Sequence, residues 1–201
     1  VGYGATECAP IICYSDWHDF AEGSCGRAAY HQQVKIDSED PETIPGEILT
    51  KGPNVLLGYY KNPEATEASI DKDGWFHTGD LGLMDSDGNV FIKGRSKNLL
   101  LGSNGQNIYP EEIEDKLNSL PLVNECLVIQ EGNKLVALVH PDFDEAKSIG
   151  LNHSDVEKIM EQDLQQLNGL IPSYSRVSEI RIQEEEFAKT PKRSIKRYLY
   201  A

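Results

Sequence analysis

The chain has 201 residues, of which 39% are hydrophobic and 26% charged, and its formal net charge is −14. This composition is typical of a globular protein with a hydrophobic core, in one large domain or two small ones. The negative charge argues against a nucleic-acid partner, because binding to phosphates needs a basic surface. The one basic cluster lies near the C-terminal end and consists of Lys189, Lys192, Arg193, Lys196 and Arg197.

The cysteines indicate a reducing compartment. They are Cys8, Cys13, Cys25 and Cys126. None stands in a C-x-x-C spacing, so we expect reduced, buried thiols of a cytoplasmic protein rather than a disulfide framework or a zinc site. No apolar run is long enough to cross a bilayer, which predicts no transmembrane segment.

The first half of the chain, roughly residues 23–94, predicts short strands separated by turns. The segments QQVKI, GEILTKG and DSDGNVFIKGR have strand patterns, and Asp87-Gly88 in the last is a strong turn signal. Glycines recur at short intervals between these segments. We therefore expect an all-β layer or a β-barrel-like subdomain.

The second half changes to an α+β pattern. The segments PEEIEDKLNSL and SDVEKIMEQDLQQLNG predict amphipathic helices, the second with Ser154 and Glu157 as a capping box and its end at Gly169. The stretch CLVIQEGNKLVALVH predicts two strands joined by a turn, and EIRIQ a further strand. We expect a small α+β C-terminal domain over residues 97–201, after a first domain over residues 1–96. The polar segment GRSKN between them is where interdomain motion would be absorbed.

The first motif whose residues could take part in ligand binding is GYGATE, near the start of the chain. Tyr3 could stack on a base, and the Thr6 hydroxyl could bond a phosphate oxygen. The Glu7 carboxylate could hold a hard divalent cation such as Mg²⁺. Taken alone, the motif is more typical of a glycine-rich turn with a helix-capping threonine.

The second motif is GWFHTGDLG, residues 74–82. We expect Asp80 in a tight Thr-Gly-Asp turn, where its carboxylate could accept hydrogen bonds from both hydroxyls of a ribose. The alternative is an Asx turn in which the aspartate bonds its own backbone. His77 is more typical of a structural or surface residue than of a catalyst, and Trp75 and Phe76 of core residues.

Two further segments complete the set. In GRSKNLLLGSNGQNIYPEEIE, Arg95 could add a contact to the same ribose, and Gly102 and Gly105 would let backbone approach a ligand closely. The spacing of a Walker phosphate loop is absent. The terminal TPKRSIKRYLY could place an ammonium beside a phosphate, or it could be a solvated terminus.

The order of these motifs along nearly the whole chain resembles the adenylate-forming superfamily, which includes acyl-CoA synthetases, firefly luciferase and the adenylation domains of nonribosomal peptide synthetases. The motifs are GYGATE, GEILTKGPNVLLGYYKNPEAT, GWFHTGDLG, GRSKN, NGQNIYPEEIE and TPKRSIKR. Within the group, WFHTGDLG with a KRYLY-type ending is most similar to a long-chain fatty-acid–CoA ligase. The resemblance implies the C-terminal third of a larger enzyme: the end of the AMP-binding domain with a β-barrel subdomain, a hinge and a lid domain. The chain begins without Met, in keeping with that expectation.

Members of the superfamily join a carboxylic acid to ATP as an acyl-adenylate and then transfer the acyl group to the thiol of coenzyme A. The resemblance therefore implies ATP/AMP, Mg²⁺ and coenzyme A as ligands. By the same resemblance, Tyr3 stacks near adenine, Thr6 touches the α-phosphate and Glu7 helps hold Mg²⁺. Asp80 binds the ribose hydroxyls, with Arg95 as a second contact.

In the second half, the resemblance makes Lys97 the hinge and places Gly105 on the path of the pantetheine thiol. The tail departs from the family pattern, because Ser194 stands where a catalytic lysine is usual. A neighbouring cation, Lys192 or Lys196, could supply the charge near the α-phosphate. The alternative is that adenylation is impaired.

Other functions stay open. The chain could belong to an adenylation domain, to an aryl- or other acyl-CoA ligase of the superfamily, or to a non-catalytic module that binds a nucleotide or a partner. We expect the chain alone to be inactive in overall ligation, because a phosphate loop and most of an acyl pocket would lie in the missing N-terminal domain. Peripheral membrane association of the parent enzyme also stays open.

Overall fold

The computed structural model describes residues 1–102 and 104–200. The backbone divides into two units, Val1–Lys97 and Asn98–Ala201, each with its own buried apolar cluster. The division falls within the polar segment GRSKN, while the assignment of functional domains to residues 1–96 and 97–201 stays a prediction. None of the described helices combines the length and the hydropathy that a bilayer crossing requires.

The first unit, residues 1–97, is built from antiparallel strands. A three-stranded sheet has the order β1-β2-β3, and a four-stranded meander has the order β4-β5-β6-β7. The elements are β1 (Gly2–Gly4), β2 (Ile11–Tyr14), β3 (Arg27–Ala28), β4 (Gln33–Asp37), β5 (Gly46–Lys51), α1 (Pro63–Ser69), β6 (Phe76–Met84) and β7 (Val90–Arg95).

The expected β-barrel-like subdomain is realised only as sheets. Within residues 1–97 the edge strands β4 and β7 do not pair with each other, so the four-stranded sheet stays open. Its buried face and the first sheet share one apolar cluster, which includes Ile12, Ile48 and Val90. The alternating strand patterns therefore predicted the strands correctly, because one face of each sheet is buried, but closure depends on pairing at the edges.

The prediction of a tight turn around Asp80 is wrong. Asp80 lies inside strand β6, directly opposite Arg95 of β7. The glycine signal has a different origin: Glu47 and Leu49 of β5 face a longer stretch of β6, so the register shifts there. Gly79 sits in this irregularity with φ at 72°, a conformation that glycine adopts without a steric penalty.

The second unit has an α+β architecture. Strands β10 and β11 form an antiparallel hairpin, and β12 returns parallel to β11 after the segment that contains α3 and α4. A small hairpin of β8 and β9 precedes them. The elements are β8 (Leu100–Leu101), β9 (Asn107–Ile108), α2 (Pro110–Asn118), β10 (Val123–Glu131), β11 (Lys134–Pro141), α3 (Phe143–Ser148), α4 (His153–Leu170) and β12 (Val177–Ile182).

The helices of this unit largely follow their sequence signals. Helix α2 begins at Pro110 and buries Ile113 and Leu117, as its apolar stripe predicts. The capping box of α4 differs from the expected one: the side chain of Asn152 accepts from the backbone of Asp155, and the Asp155 side chain accepts in return. Helices α1 and α3 were not anticipated, because each is short and has little apolar periodicity.

Candidate functional site

The centre of the site is a hydrogen bond between two of the sequence motifs. The Tyr3 hydroxyl donates to Oδ2 of Asp80 over 2.6 Å, although the two residues are 77 positions apart in the sequence. Burial, and then the hydrogen bond to Asp80, raise the pKa of Tyr3 well above its ordinary value. The phenol therefore stays protonated and acts as a donor to the carboxylate.

Arg95 holds the other oxygen of the same carboxylate. Its Nε lies 2.9 Å from Oδ1 of Asp80, and its Nη1 donates to the backbone oxygen of Thr78 over 3.2 Å. The Thr78 hydroxyl accepts the amide hydrogen of Asp80 and donates to the backbone oxygen of Ile48. Asp80 is thus held at one oxygen by Tyr3 of β1 and at the other by Arg95 of the neighbouring strand β7.

The fixed carboxylate keeps capacity for a ligand. Its side chain is 15% exposed. A carboxylate offers about four lone-pair sites, and Tyr3 and Arg95 occupy one on each oxygen. Asp80 can therefore accept hydrogen bonds from a vicinal diol such as a ribose, while Arg95 stays half-exposed beside it.

Glu47 braces the strand irregularity that presents Asp80. Its Oε1 accepts the amide hydrogen of Gly79 over 2.8 Å, and its Oε2 lies 2.8 Å from Nδ1 of His77. This contact fits the structural role expected for His77, which stays a prediction. Neither Glu47 nor Thr78 was singled out in the sequence, because their roles depend on contacts between strands.

The rest of the first motif forms a short 3₁₀ turn, Thr6–Cys8, directly after β1. The backbone oxygen of Glu7 accepts from the amide of Leu56 over 2.7 Å, and its Oε1 accepts from the hydroxyl of Tyr59 over 3.2 Å. The Thr6 hydroxyl is exposed and bonds no described residue. Sequence reasoning missed Tyr59, although it lies within the quoted segment GYYKNPEAT.

These contacts fit a magnesium ion that is shared with a substrate. No three histidine, cysteine, aspartate or glutamate side chains cluster as an all-protein cage among the described residues. Mg²⁺ is usually held by one or two carboxylates together with substrate phosphates. Glu7 provides one half-buried carboxylate with acceptor capacity beyond its contact with Tyr59, and Thr6 adds a hydroxyl next to it.

The cysteines lie outside this chemistry. All four are buried and unpaired, as expected from their spacing. Burial raises the pKa of Cys8 to about 11. This thiol therefore stays protonated and is a poor nucleophile near neutral pH.

In the second unit, Gly105 lies in the connection between β8 and β9. Its φ of 80° lies in the region that favours glycine, and its amide donates to the backbone oxygen of Gly102 over 2.9 Å. A Cβ placed there would meet no described atom within 4 Å. The backbone conformation alone therefore accounts for this glycine, and its role beside the pantetheine thiol stays a prediction.

The tail forms a small hairpin. Lys189 and Ile195 pair as an antiparallel bridge, the amide of Thr190 donates to the oxygen of Ser194 over 2.8 Å, and Arg193 turns the chain with φ at 63°. The alternative of a solvated terminus therefore holds only for the tip of the hairpin, which is exposed, because the ends of the hairpin are anchored.

The basic cluster divides into anchored and available cations. Lys189 pairs with Glu125 and Glu186, and Arg197 pairs with Glu114. Lys192 and Lys196 form no ion pair with any residue that the structure describes. These two ammonium groups and the Arg193 guanidinium, which likewise has no ion pair among the described residues, are available to a ligand. The catalytic roles of Lys192 and Lys196 stay predictions.

Lys97 lies in the 3₁₀ turn Ser96–Asn98, at the end of the first unit. Its side chain is exposed and the turn buries no residue. A short exposed turn between two cores can absorb changes of backbone angle, so the hinge role fits but stays a prediction.

The chain belongs to the AMP-binding enzyme family. Residues 1–60 match the profile of the AMP-binding enzyme domain, and residues 97–200 match that of the AMP-binding enzyme C-terminal domain. The second match alone spans more than half of the chain. The motifs GYGATE, NGQNIYPEEIE and TPKRSIKR lie within these matched ranges, whereas GWFHTGDLG lies between them.

Curated relatives include enzymes with different acids. A long-chain-fatty-acid–CoA ligase from Escherichia coli O6:H1 is 42% identical over 133 residues, which cover 64% of this chain and 23% of the relative. A feruloyl-CoA synthase from an Amycolatopsis species is 42% identical over 134 residues, which cover 64% of this chain and 27% of the relative. The matched chain thus spans less than a third of either relative.

The structural comparison extends over the whole chain. The o-succinylbenzoate CoA synthetase of Bacillus subtilis, solved with its acyl-adenylate intermediate, superimposes with a TM-score of 0.79 and 25% identity. The match covers 100% of this chain and 40% of that chain. The same enzyme has been solved with ATP and a magnesium ion, and that structure matches with a TM-score of 0.77.

Proposed function

We propose that the chain is the C-terminal part of an ATP-dependent acid–thiol ligase that forms an acyl-CoA through an acyl-adenylate. The observation that carries the proposal is the convergence of Tyr3, Asp80 and Arg95, from motifs far apart in the sequence, on one fixed carboxylate. This is the arrangement that a nucleoside needs, with an aromatic ring beside an acceptor for the ribose diol. The family membership and the solved acyl-adenylate complex of the Bacillus enzyme support it.

In this proposal each residue of the first unit has one task. The Tyr3 ring contacts adenine, while its hydroxyl orients Asp80. Asp80 accepts from the ribose hydroxyls, and Arg95 holds that carboxylate in its orientation. Thr6 donates to the α-phosphate, and Glu7 holds Mg²⁺ together with the phosphates of ATP. A bound magnesium ion would neutralise phosphate charge, and Glu7 contributes the protein's share of its ligands.

Of the two candidate cations in the tail, we propose that Lys196 is the one that acts. Ile195 packs against the cluster around Phe187, so its neighbours in this extended segment point to the opposite side. Lys196 therefore shares a side with Ser194, the position of the usual family lysine. Lys192 lies in the turn instead, where side-chain direction is less constrained.

A direct test uses this chain and AMP. Titration of AMP should shift the backbone NMR signals of Tyr3, Thr6 and Asp80. Asp80→Asn should weaken the binding by about tenfold or more, the usual value of a hydrogen bond to a charged group. Asp87→Asn is the matched control, since it removes the same charge at an exposed turn of the same unit. Shifts that are absent from the site, or equal losses in the two variants, would contradict the nucleotide site.

The reaction is tested in the longer protein that carries this chain. Exchange of labelled pyrophosphate into ATP should require a carboxylic acid, and product analysis should find its CoA thioester. The chain alone should show no overall ligation. If the longer protein binds AMP but shows no pyrophosphate exchange with any acid tested, the non-catalytic module is the better description.

For the acid, we propose a long-chain fatty acid, in line with the Escherichia coli relative. An aryl acid is the second candidate, because the feruloyl-CoA synthase has the same identity over a segment of nearly the same length. A panel of palmitate, ferulate and o-succinylbenzoate at equal concentrations separates the two. The preferred acid should show the highest kcat/KM in pyrophosphate exchange, and a preference for ferulate would overturn the fatty-acid assignment.

A further inference from the structure

The tail hairpin is anchored through one partly buried guanidinium. Arg197 pairs with Oε2 of Glu114 and donates to the backbone oxygen of Val128 over 3.4 Å. Oε1 of Glu114 accepts the amide hydrogen of the same Val128 over 2.6 Å. Arg197 is 22% exposed and follows Lys196 directly, so whatever fixes the guanidinium also fixes the backbone of Lys196.

A second carboxylate of α2, that of Glu111, lies near Arg197 and also contacts the first residue of the unit. Oε1 of Glu111 accepts from the side-chain amide of Asn98 over 2.5 Å and lies 3.9 Å from Nη2 of Arg197. Asn98 is the first residue of the second unit, immediately after Lys97. One oxygen of Glu111 therefore faces both the start of the unit and the residue that anchors its tail.

We propose that Glu111 is a positioning residue that links Asn98 to Arg197 and so sets the place of Lys196 relative to the first residue after the hinge. The inference rests on the proposed function, in which Lys196 supplies charge near the α-phosphate. The link has a consequence for that function. A change at Asn98 affects the position of Lys196 through the side chains of Glu111 and Arg197, and not only along the backbone.

Stability alone does not account for this arrangement. Two carboxylates face one guanidinium, and Oε2 of Glu111 is buried without a hydrogen-bond partner among the described residues. Ionic groups that lose much of their hydration on folding are often no more stabilising than well-packed apolar side chains. An unsatisfied buried oxygen is also uncommon in native proteins. We therefore infer that this cluster fixes the position of Arg197 relative to Asn98.

The link is tested first in the chain itself by hydrogen exchange. The reporters are the amides of Thr190 and Lys196, which donate to Ser194 and Ala188 within the hairpin. Asn98→Ala and Glu111→Gln should each speed exchange at both reporters by about tenfold, with the amide of Val136 in β11 unchanged. Glu111→Gln keeps the acceptor for Asn98 and the side-chain size, so it is the variant least prone to unfold.

Arg181→Met is the matched control for the loss of a charge network. Arg181 pairs with Glu131 and Glu179, away from Glu111 and Glu114, so its variant should leave the tail reporters within about twofold of the wild type. Unchanged tail exchange in Asn98→Ala would overturn the link. So would an equal increase in the Arg181 control.

The functional arm uses the longer ligase. Asn98→Ala and Glu111→Gln should lower kcat for pyrophosphate exchange by about tenfold and leave the KM for ATP within about twofold, because they misplace a cation that acts in the transition state. A purely structural role would leave both constants of the folded variants unchanged, and that result would overturn the proposal. If the wild-type enzyme exchanges no pyrophosphate, the proposed function fails, while the hydrogen-exchange result still decides whether the link exists.

Discussion

Tyr3→Phe tests the central contact of the first unit, because it removes only the hydroxyl that donates to Asp80. The partner is a carboxylate that is 15% exposed and keeps its contact with Arg95. Hydrogen bonds to charged groups contribute about 1.5–3 kcal/mol. We expect a loss near the lower end, about 1.5 kcal/mol, since water can reach the vacated lone pair in part.

The assay is urea denaturation followed by tryptophan fluorescence. Both tryptophans of the chain, Trp17 and Trp75, lie in the first unit, so the signal reports that unit alone. Tyr14→Phe is the matched control: this tyrosine lies on the neighbouring strand β2, is half-exposed and bonds no described residue through its hydroxyl. It should change the free energy of unfolding by less than about 0.5 kcal/mol.

The pH dependence gives a second measure of the same contact. Because the pKa of Tyr3 is raised in the folded state, the unfolded chain releases the proton first. The stabilisation is therefore present in full below about pH 10 and is lost as the pH rises above it. The difference between wild type and Tyr3→Phe should shrink there. Equal stability of the two at about pH 8, or an equal effect of Tyr14→Phe, would refute the contact.

Three further predictions concern the second unit. Asn152→Ala should destabilise it by about 1 kcal/mol and Ser154→Ala by less than half of that in thermal unfolding, because only Asn152 caps α4; equal losses would contradict the observed cap. Asp163→Leu should stabilise the second unit by about 1–3 kcal/mol near pH 7, as measured by urea denaturation followed by circular dichroism. The reason is that burial raises the pKa of this carboxyl, and one of its oxygens is buried without a partner among the described residues. A raised pKa makes the ionised form costly above the ordinary value, so the gain should shrink as the pH falls toward about 4, and a gain that grew instead would be inconsistent with a buried acid. In the longer ligase, Lys196→Ala should slow pyrophosphate exchange by about a hundredfold and Lys192→Ala by less than about tenfold, and the reverse order would exchange their roles.

Local signals predicted the second unit well. Pro110 with Glu111 marked the start of α2, and the Glu-Gly-Asn turn marked the hairpin of β10 and β11. The cap of α4 shows the limit of such signals. Asn152 with Asp155 and Ser154 with Glu157 have the same spacing, two residues apart, and only the course of the incoming chain decides between them.

The candidate site was predictable in its residues and not in its geometry. The Thr-Gly-Asp segment predicted a tight turn, whereas Gly79 takes a positive φ within a strand irregularity. The segment could not reveal that β5 and β7 continue on both sides and turn it into a strand. The contact between Tyr3 and Asp80 is likewise a product of the folded sheets, because nothing local joins residues so far apart.

The hairpin that carries Lys192 is held by Tyr200 as well as by Arg197. The Tyr200 hydroxyl accepts the amide hydrogen of Ala188, and its ring packs edge-on against Phe187. Affinity tags or fluorophores attached directly behind this tyrosine would disturb the seat of a loop several residues upstream. A flexible spacer between Tyr200 and the label is therefore the safer choice when the tail is to be studied.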